Sequence, residues 1–119
     1  MGPQDIPIQQ RGDWAVLEVD KPMLTRLEAG RLLGTLRGYR EQTGCVRFAI
    51  DMDGVDFIDS ACIGSLVTLL IELDQADGKL LLAGCPRTVQ DLLKVTGLTS
   101  HITLIPSVLD LDELDDQDG

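Results

Sequence analysis

Aromatic side chains are nearly missing from this chain. Trp14, Tyr39, Phe48 and Phe57 are all it has, so any core must be built from Leu, Ile and Val. There is one histidine, His101, and the three cysteines, Cys45, Cys62 and Cys85, are widely spaced with no Cys-x-x-Cys unit. A zinc set is thereby excluded, and the simplest reading is three reduced thiols in a cytosolic protein. No basic-then-apolar leader opens the sequence, so no signal peptide is expected and the expected location is cytoplasmic. The longest apolar run, Ala61 to Leu73, falls short of the roughly 20 residues that cross a bilayer. Bases are scarce as well, 10 against 20 acids, which argues against nucleic acid or an anionic membrane surface as the main partner. No Gly-x-Gly-x-x-Gly or other phosphate-cradling loop exists, so nucleotide binding has no motif behind it.

What is there suits one folded domain. A chain of 119 residues has material for one proper core, and a hydrophobic fraction of 44% is ordinary for a globular protein. Asp110, Asp112, Glu113, Asp115, Asp116 and Asp118 crowd the last ten residues without a base, and removing them takes the net charge from −10 to −4. The expected layout is one domain over residues 1–114 and a solvated acidic tail over 115–119.

Periodicity orders the rest. Ile6 and Ile8 alternate with polar neighbours, a turn falls at Gln10 to Asp13, and Trp14, Val16 and Leu17 follow, which predicts a hairpin. Thr25 and Glu28 have capping-box spacing ahead of Ala29, Leu32, Leu33 and Leu36, so a helix runs to a stop at Gly44. Gly30, Gly34 and Gly38 stripe that helix, each costing roughly 1 kcal/mol against alanine. Either close packing on a neighbour or an approaching partner backbone would offset them. Val46, Phe48 and Ile50 mark a strand. After the Asp53-Gly54 turn, "ACIGSLVTLLIELDQADG" reads as a helix apolar almost all round, hence largely buried. "KLLLAG" is a short continuous apolar strand, Pro86 opens a helix that Gly97 stops, "HITLI" is a last strand, and Pro106-Ser107 starts a final acidic helix. Strands alternating with helices imply parallel pairing. The fold class is α/β: a small mixed β-sheet with about four helices packed on it.

Few chemical constellations survive. A Ser-His-Asp triad would need His101, far along the chain at the start of a strand. Asp51, Asp53, Asp56 and Asp59 could suggest a hard cation, but along a strand end and loop they read as turn formers and caps, and neither metal nor cofactor is expected. The remaining stretch is Asp59-Ser60, at a strand-to-helix junction. Its side-chain oxygens read as caps for the amides of Ala61 to Ile63. The same geometry leaves a hydroxyl at the positive end of a helix dipole, where a phosphate would be stabilised. Cys62, two positions into that helix, reads either as a small filler or as a thiol of lowered pKa.

"DMDGVDFIDSACIGSLVTLL" resembles the signature segment of the STAS domain, as found in bacterial anti-sigma factor antagonists. The family pattern is an Asp at a strand end, a Gly turn, an apolar pair, then Asp-Ser-Ser/Thr-Gly-Leu-Gly opening a helix. Phe57-Ile58, Asp59, Ser60 and Gly64 match it, while Ala61 and Cys62 replace Ser/Thr-Gly. "VTGL" and "HITLIPSVLDL" resemble the family's closing elements, and "EVDKP" stands where Gly-x-Leu-Asp is common. The resemblance implies a STAS-like fold and no enzyme. It further implies an antagonist phosphorylated at Ser60 by a GHKL-type partner that is both serine kinase and anti-sigma factor, and reset by a phosphatase. The partner-binding surface it implies comprises Asp56, Asp59, Ser60, Ala61, Cys62 and Gly64, and self-association stays open. A STAS subunit of a stressosome-like assembly and a small-ligand or anion-binding domain are the alternatives.

Overall fold

In the computed structural model, residues 6–111 are described. The tail at 115–119 and most of the expected last helix lie outside them. Ile8–Arg11 (β1) and Trp14–Glu18 (β2) form the expected antiparallel hairpin, with Gly12 at the turn in a left-handed conformation, φ 60°. From there the chain runs through Met23–Leu24 (β3), Arg26–Thr43 (α1), Arg47–Asp51 (β4) and Phe57–Ile58 (β5). Ser60–Gln75 (α2), Lys79–Ala83 (β6), Arg87–Val95 (α3) and Thr103–Ile105 (β7) complete it. The five longer strands make one sheet in the order β1-β2-β4-β6-β7, parallel except for β1.

Every crossover from β2 onward steps to the next strand in the same direction, so connections of one hand leave all three helices on one face. Ala15, Leu17, Phe48, Ile50, Leu80 and Leu82 meet the helices there, against Leu32 and Leu36 of α1, Leu66, Leu69 and Leu73 of α2, and Val89 and Leu93 of α3. On the opposite face Trp14, Val16, Ala49, Leu81, Ala83 and Ile105 meet Val108 and Leu111. Burial on both sides is why β6 reads as an unbroken apolar run. Trp14 is covered on that second face, with the Arg47 guanidinium 4.7 Å from its ring centroid.

Local signals set the helix ends. The Thr25 hydroxyl donates to Glu28 Oε1 at 2.6 Å and the Thr25 amide to the same oxygen at 3.2 Å, and these bonds, the hydroxyl's foremost, hold the Glu28 carboxyl below its usual range. Gly44 closes α1 in the left-handed region, its amide donating to the Arg40 carbonyl. Gly78 is required by close approach instead: a Cβ there would lie 2.1 Å from the Val46 carbonyl oxygen, because Lys79 already donates to that oxygen at 2.9 Å.

Two expectations change, and one strand pairing is new. The described residues contain three α-helices where about four were expected. Ser107 does cap the last one, accepting from the Leu109 amide, and a 3-10 turn, Val108–Asp110, followed by the helical Leu111, is what falls within them. A second 3-10 turn, Leu98–Ser100, sits between α3 and β7. The glycine stripe of α1 is not explained by close packing, since a Cβ on Gly30, Gly34 or Gly38 would meet nothing within 4 Å. Finally, β3 and β5 pair with each other in a separate two-stranded parallel ribbon.

Candidate functional site

That ribbon builds the site. β3 runs into Thr25, the N-cap of α1, and β5 runs into Asp59, the N-cap of α2. Leu24 pairs with Ile58, and the Asp59 amide donates to the Leu24 carbonyl at 3.1 Å. Two helix N-termini are thereby held side by side beyond the C-terminal end of β4. In an open α/β sheet this is the end at which binding surfaces gather.

The loop ahead of α2 is fixed from inside. Met52 and Val55 are buried, the Met52 amide donates to the Ala83 carbonyl, and Val55 closes a turn back onto Met52. Gly54 tops this turn close to Asp20: a Cβ on it would stand 3.4 Å from Asp20 Oδ1. The amides of Asp56 and Phe57 both donate to the Pro22 carbonyl, at 2.7 and 3.1 Å, and Thr88 Oγ1 of α3 donates to the Asp56 carbonyl at 2.8 Å. Three segments distant in sequence thus converge on one rim.

At the helix start the two polar residues divide their roles. Asp59 is the cap: its Oδ1 accepts from the Cys62 amide at 3.0 Å. Ser60 is the first helical residue, exposed, and its hydroxyl makes no hydrogen bond among the described residues. The expectation that both side chains cap the helix therefore holds for Asp59 alone. Capping falls to the residue just before the first helical one, whose side-chain oxygen accepts from the first-turn amides.

Of the six residues expected on the partner surface, Asp56, Ser60 and Gly64 are exposed and Asp59 and Ala61 are half-buried. Cys62 is different. It is 0% exposed, packed in the main core with Leu66 and Ile58. Burial, with the nearby Asp59 charge adding to it, pushes its thiol up to about 12. Desolvation outweighs the helix dipole, which corrects the reading of a thiol of lowered pKa. It also means that Cys62 offers a partner no side chain, so replacing the family's glycine here leaves the outer surface unchanged.

His101 stands apart, lining a groove with Leu70 and Asp74 at the far end of α2. Fourteen residues of helix separate Asp74 from Ser60, about 21 Å, so no triad assembles. Among the described residues no group of three His, Cys, Asp or Glu side chains could hold a metal ion. No helix there is long and apolar enough to cross a membrane. Sequence reasoning did not single out Met23 or Thr88, and it met Asp20 only within "EVDKP". "PML" and "VDFI" each carry too short an apolar stretch for a period, and their pairing is visible only in the fold.

The STAS domain family model matches residues 5–111, and the chain belongs to that family. A search of curated proteins returns no match. Among solved structures, a candidate anti-sigma factor antagonist from Thermotoga maritima superposes with a TM-score of 0.83 at 19% identity, covering 92% of each chain. The Bacillus cell fate determinant SpoIIAA in its phosphorylated form gives 0.72 at 14% identity, covering 92% of this chain and 98% of that one. The murine anion transporter Slc26a9 gives 0.69 at 19% identity, covering 93% of this chain and 19% of the transporter. At these identities the likeness shows the fold.

Proposed function

We propose that this chain is an anti-sigma factor antagonist, a regulatory binding module rather than a catalyst, acting in the cytoplasm and switched by phosphorylation of Ser60. Its partner is a GHKL-type serine kinase that is itself the anti-sigma factor. The observation that carries the reading is Ser60: an exposed hydroxyl opening α2, released from capping by Asp59, on a rim built from three segments. The other hydroxyls of the helix are less available. Ser65 is half-buried, and Thr68 Oγ1 donates to the Gly64 carbonyl at 3.1 Å.

Unmodified, the surface docks on the kinase and frees the sigma factor. A phosphate on Ser60 adds about 1.5 to 2 negative charges beside Asp56 and Asp59. The helix dipole and first-turn amides stabilise it in the free protein. In a complex that phosphate would have to shed its water and fit between the closed surfaces, a cost that exceeds its attraction to basic groups of the partner, so the modified form lets go. A phosphatase restores the binding form.

The test is incubation with each GHKL-type kinase of the same genome and ATP, followed by mapping of the phosphate by mass spectrometry. Phosphate on Ser60 is the expected result. Phosphate on Ser65 or Thr68, or none from a kinase active on another substrate, defeats the reading. In that event a stressosome-like subunit or an anion-binding domain becomes the better account.

A further inference from the structure

Register places Met23 directly opposite Phe57 on the ribbon, with Leu24 and Ile58 turned into the core. The inward pair suffices to hold such a ribbon, and outward positions are ordinarily polar. Here both are apolar, Met23 52% and Phe57 48% exposed. Aromatic surface is scarce in this chain: Trp14 and Phe48 are buried, and Tyr39 is half-buried, packed edge-on to Phe48 at 6.2 Å. Single exposed apolar side chains are ordinary, but a directly paired Met and Phe three residues ahead of Ser60 make a patch. Leu27, also exposed, follows in the first turn of α1.

We infer that Met23 and Phe57 are the apolar anchor of the docking surface, and that its occupant is a protein presenting an apolar pocket edged with Lys or Arg. Charge argues for that occupant. The segments carrying the ribbon, 20–26 and 53–59, bring Asp20, Asp53, Asp56 and Asp59 against Lys21 and Arg26 only. A second copy docked through the same patch would set this acidic excess against itself, and an anionic lipid surface would be repelled by it. Aromatic and Met side chains are enriched at protein interfaces, where a few buried anchors carry most of the affinity. The inference rests on the reading of the chain as a module switched at Ser60, and it adds that affinity and switching reside in different residues.

The experiment uses the full chain and, as probe, the purified GHKL-type kinase that phosphorylates Ser60. Binding of wild type, Phe57→Ser, Met23→Ser and the control Ile71→Ser is followed by biolayer interferometry without ATP, with far-UV circular dichroism as the check on folding. Phe57→Ser is expected to weaken binding by about 30-fold or more and Met23→Ser by about 10-fold. Ile71→Ser, which removes a similarly exposed apolar side chain further along α2 and outside the docking surface, should stay within about threefold of wild type. The association rate should fall as salt rises, as opposite charges require. Where Phe57→Ser does not fold, Met23→Ser alone decides. Folded Phe57→Ser and Met23→Ser variants that bind like wild type overturn the anchor while leaving the Ser60 switch standing. A salt-independent association rate overturns the basic edge. Self-association of wild type that Phe57→Ser abolishes assigns the patch to a second copy and overturns the inference. If no kinase binds wild type, the reading beneath it fails as well.

Discussion

Capping and switching are assigned to neighbouring residues, and that division can be measured. Asp59 Oδ1 holds the Cys62 amide at 3.0 Å, at the start of a helix of 16 residues whose Cys62, Leu66, Leu69 and Leu73 are buried. Asp59→Ala removes the cap, about 1 kcal/mol, and the favourable charge at the helix start, a further 0.3 to 1 kcal/mol or so. For a chain of this size the loss lowers the melting temperature by about 4 °C per kcal/mol, or roughly 5 to 8 °C in all. Ser60 makes no hydrogen bond among the described residues and is exposed. Ser60→Ala should thus stay within about 0.5 kcal/mol of wild type, as surface changes do. Urea melts of both variants, followed by circular dichroism at 222 nm, decide it. If Ser60→Ala loses more than about 1 kcal/mol while Asp59→Ala is silent, the cap is the serine and the reasoning fails.

Other consequences follow from burial and space. Leu66→Asp puts an unpaired charge among fully buried residues and should abolish folding, whereas Leu70→Asp, on the half-buried groove side, should leave a cooperative melt with a lower midpoint. Gly34→Ala meets nothing within 4 Å and should stabilise by about 0.5 to 1 kcal/mol, while Gly78→Ala drives a Cβ into the Val46 carbonyl and should destabilise by more than about 2 kcal/mol; equal melts for the two would contradict the packing described. The Cys62 thiol should alkylate slower than that of Cys45 in the folded protein, and equal rates would contradict its burial. That thiol is held neutral in the fold but ionises in the unfolded chain, so its contribution is complete below about pH 9 and is lost as pH rises to about 12. Over that window it accounts for up to about 1.4 kcal/mol per pH unit, and Cys62→Ala should flatten the alkaline loss relative to wild type. An unchanged slope would contradict it.

Long periodic stretches were legible in the sequence because one face of each is buried along its whole length. The Ala29, Leu32, Leu36 stripe, the capping box at Thr25 and the unbroken run of β6 each state their environment locally. The ribbon of β3 and β5 was not legible, since two residues per strand carry no period and their parallel partners lie 34 positions apart. For the same reason Phe57 was visible as half of an apolar pair, but not as an exposed one facing Met23. Of the candidate surface, Asp56, Ser60 and Gly64 could be read from the motif. Cys62 was legible as a small filler but was also placed on the partner surface, because whether a first-turn helical residue faces the core depends on how α2 lies on the sheet.

The central claim is that Ser60 is the switch of a binding surface. Its most direct test is the dissociation rate of the complex with the cognate kinase, measured for the unmodified protein and for the same protein carrying phosphate on Ser60. The account predicts that the phosphorylated form leaves at least about tenfold faster, since the added charge is felt once the surfaces have met. Equal dissociation rates, with phosphate verified on Ser60, would contradict it.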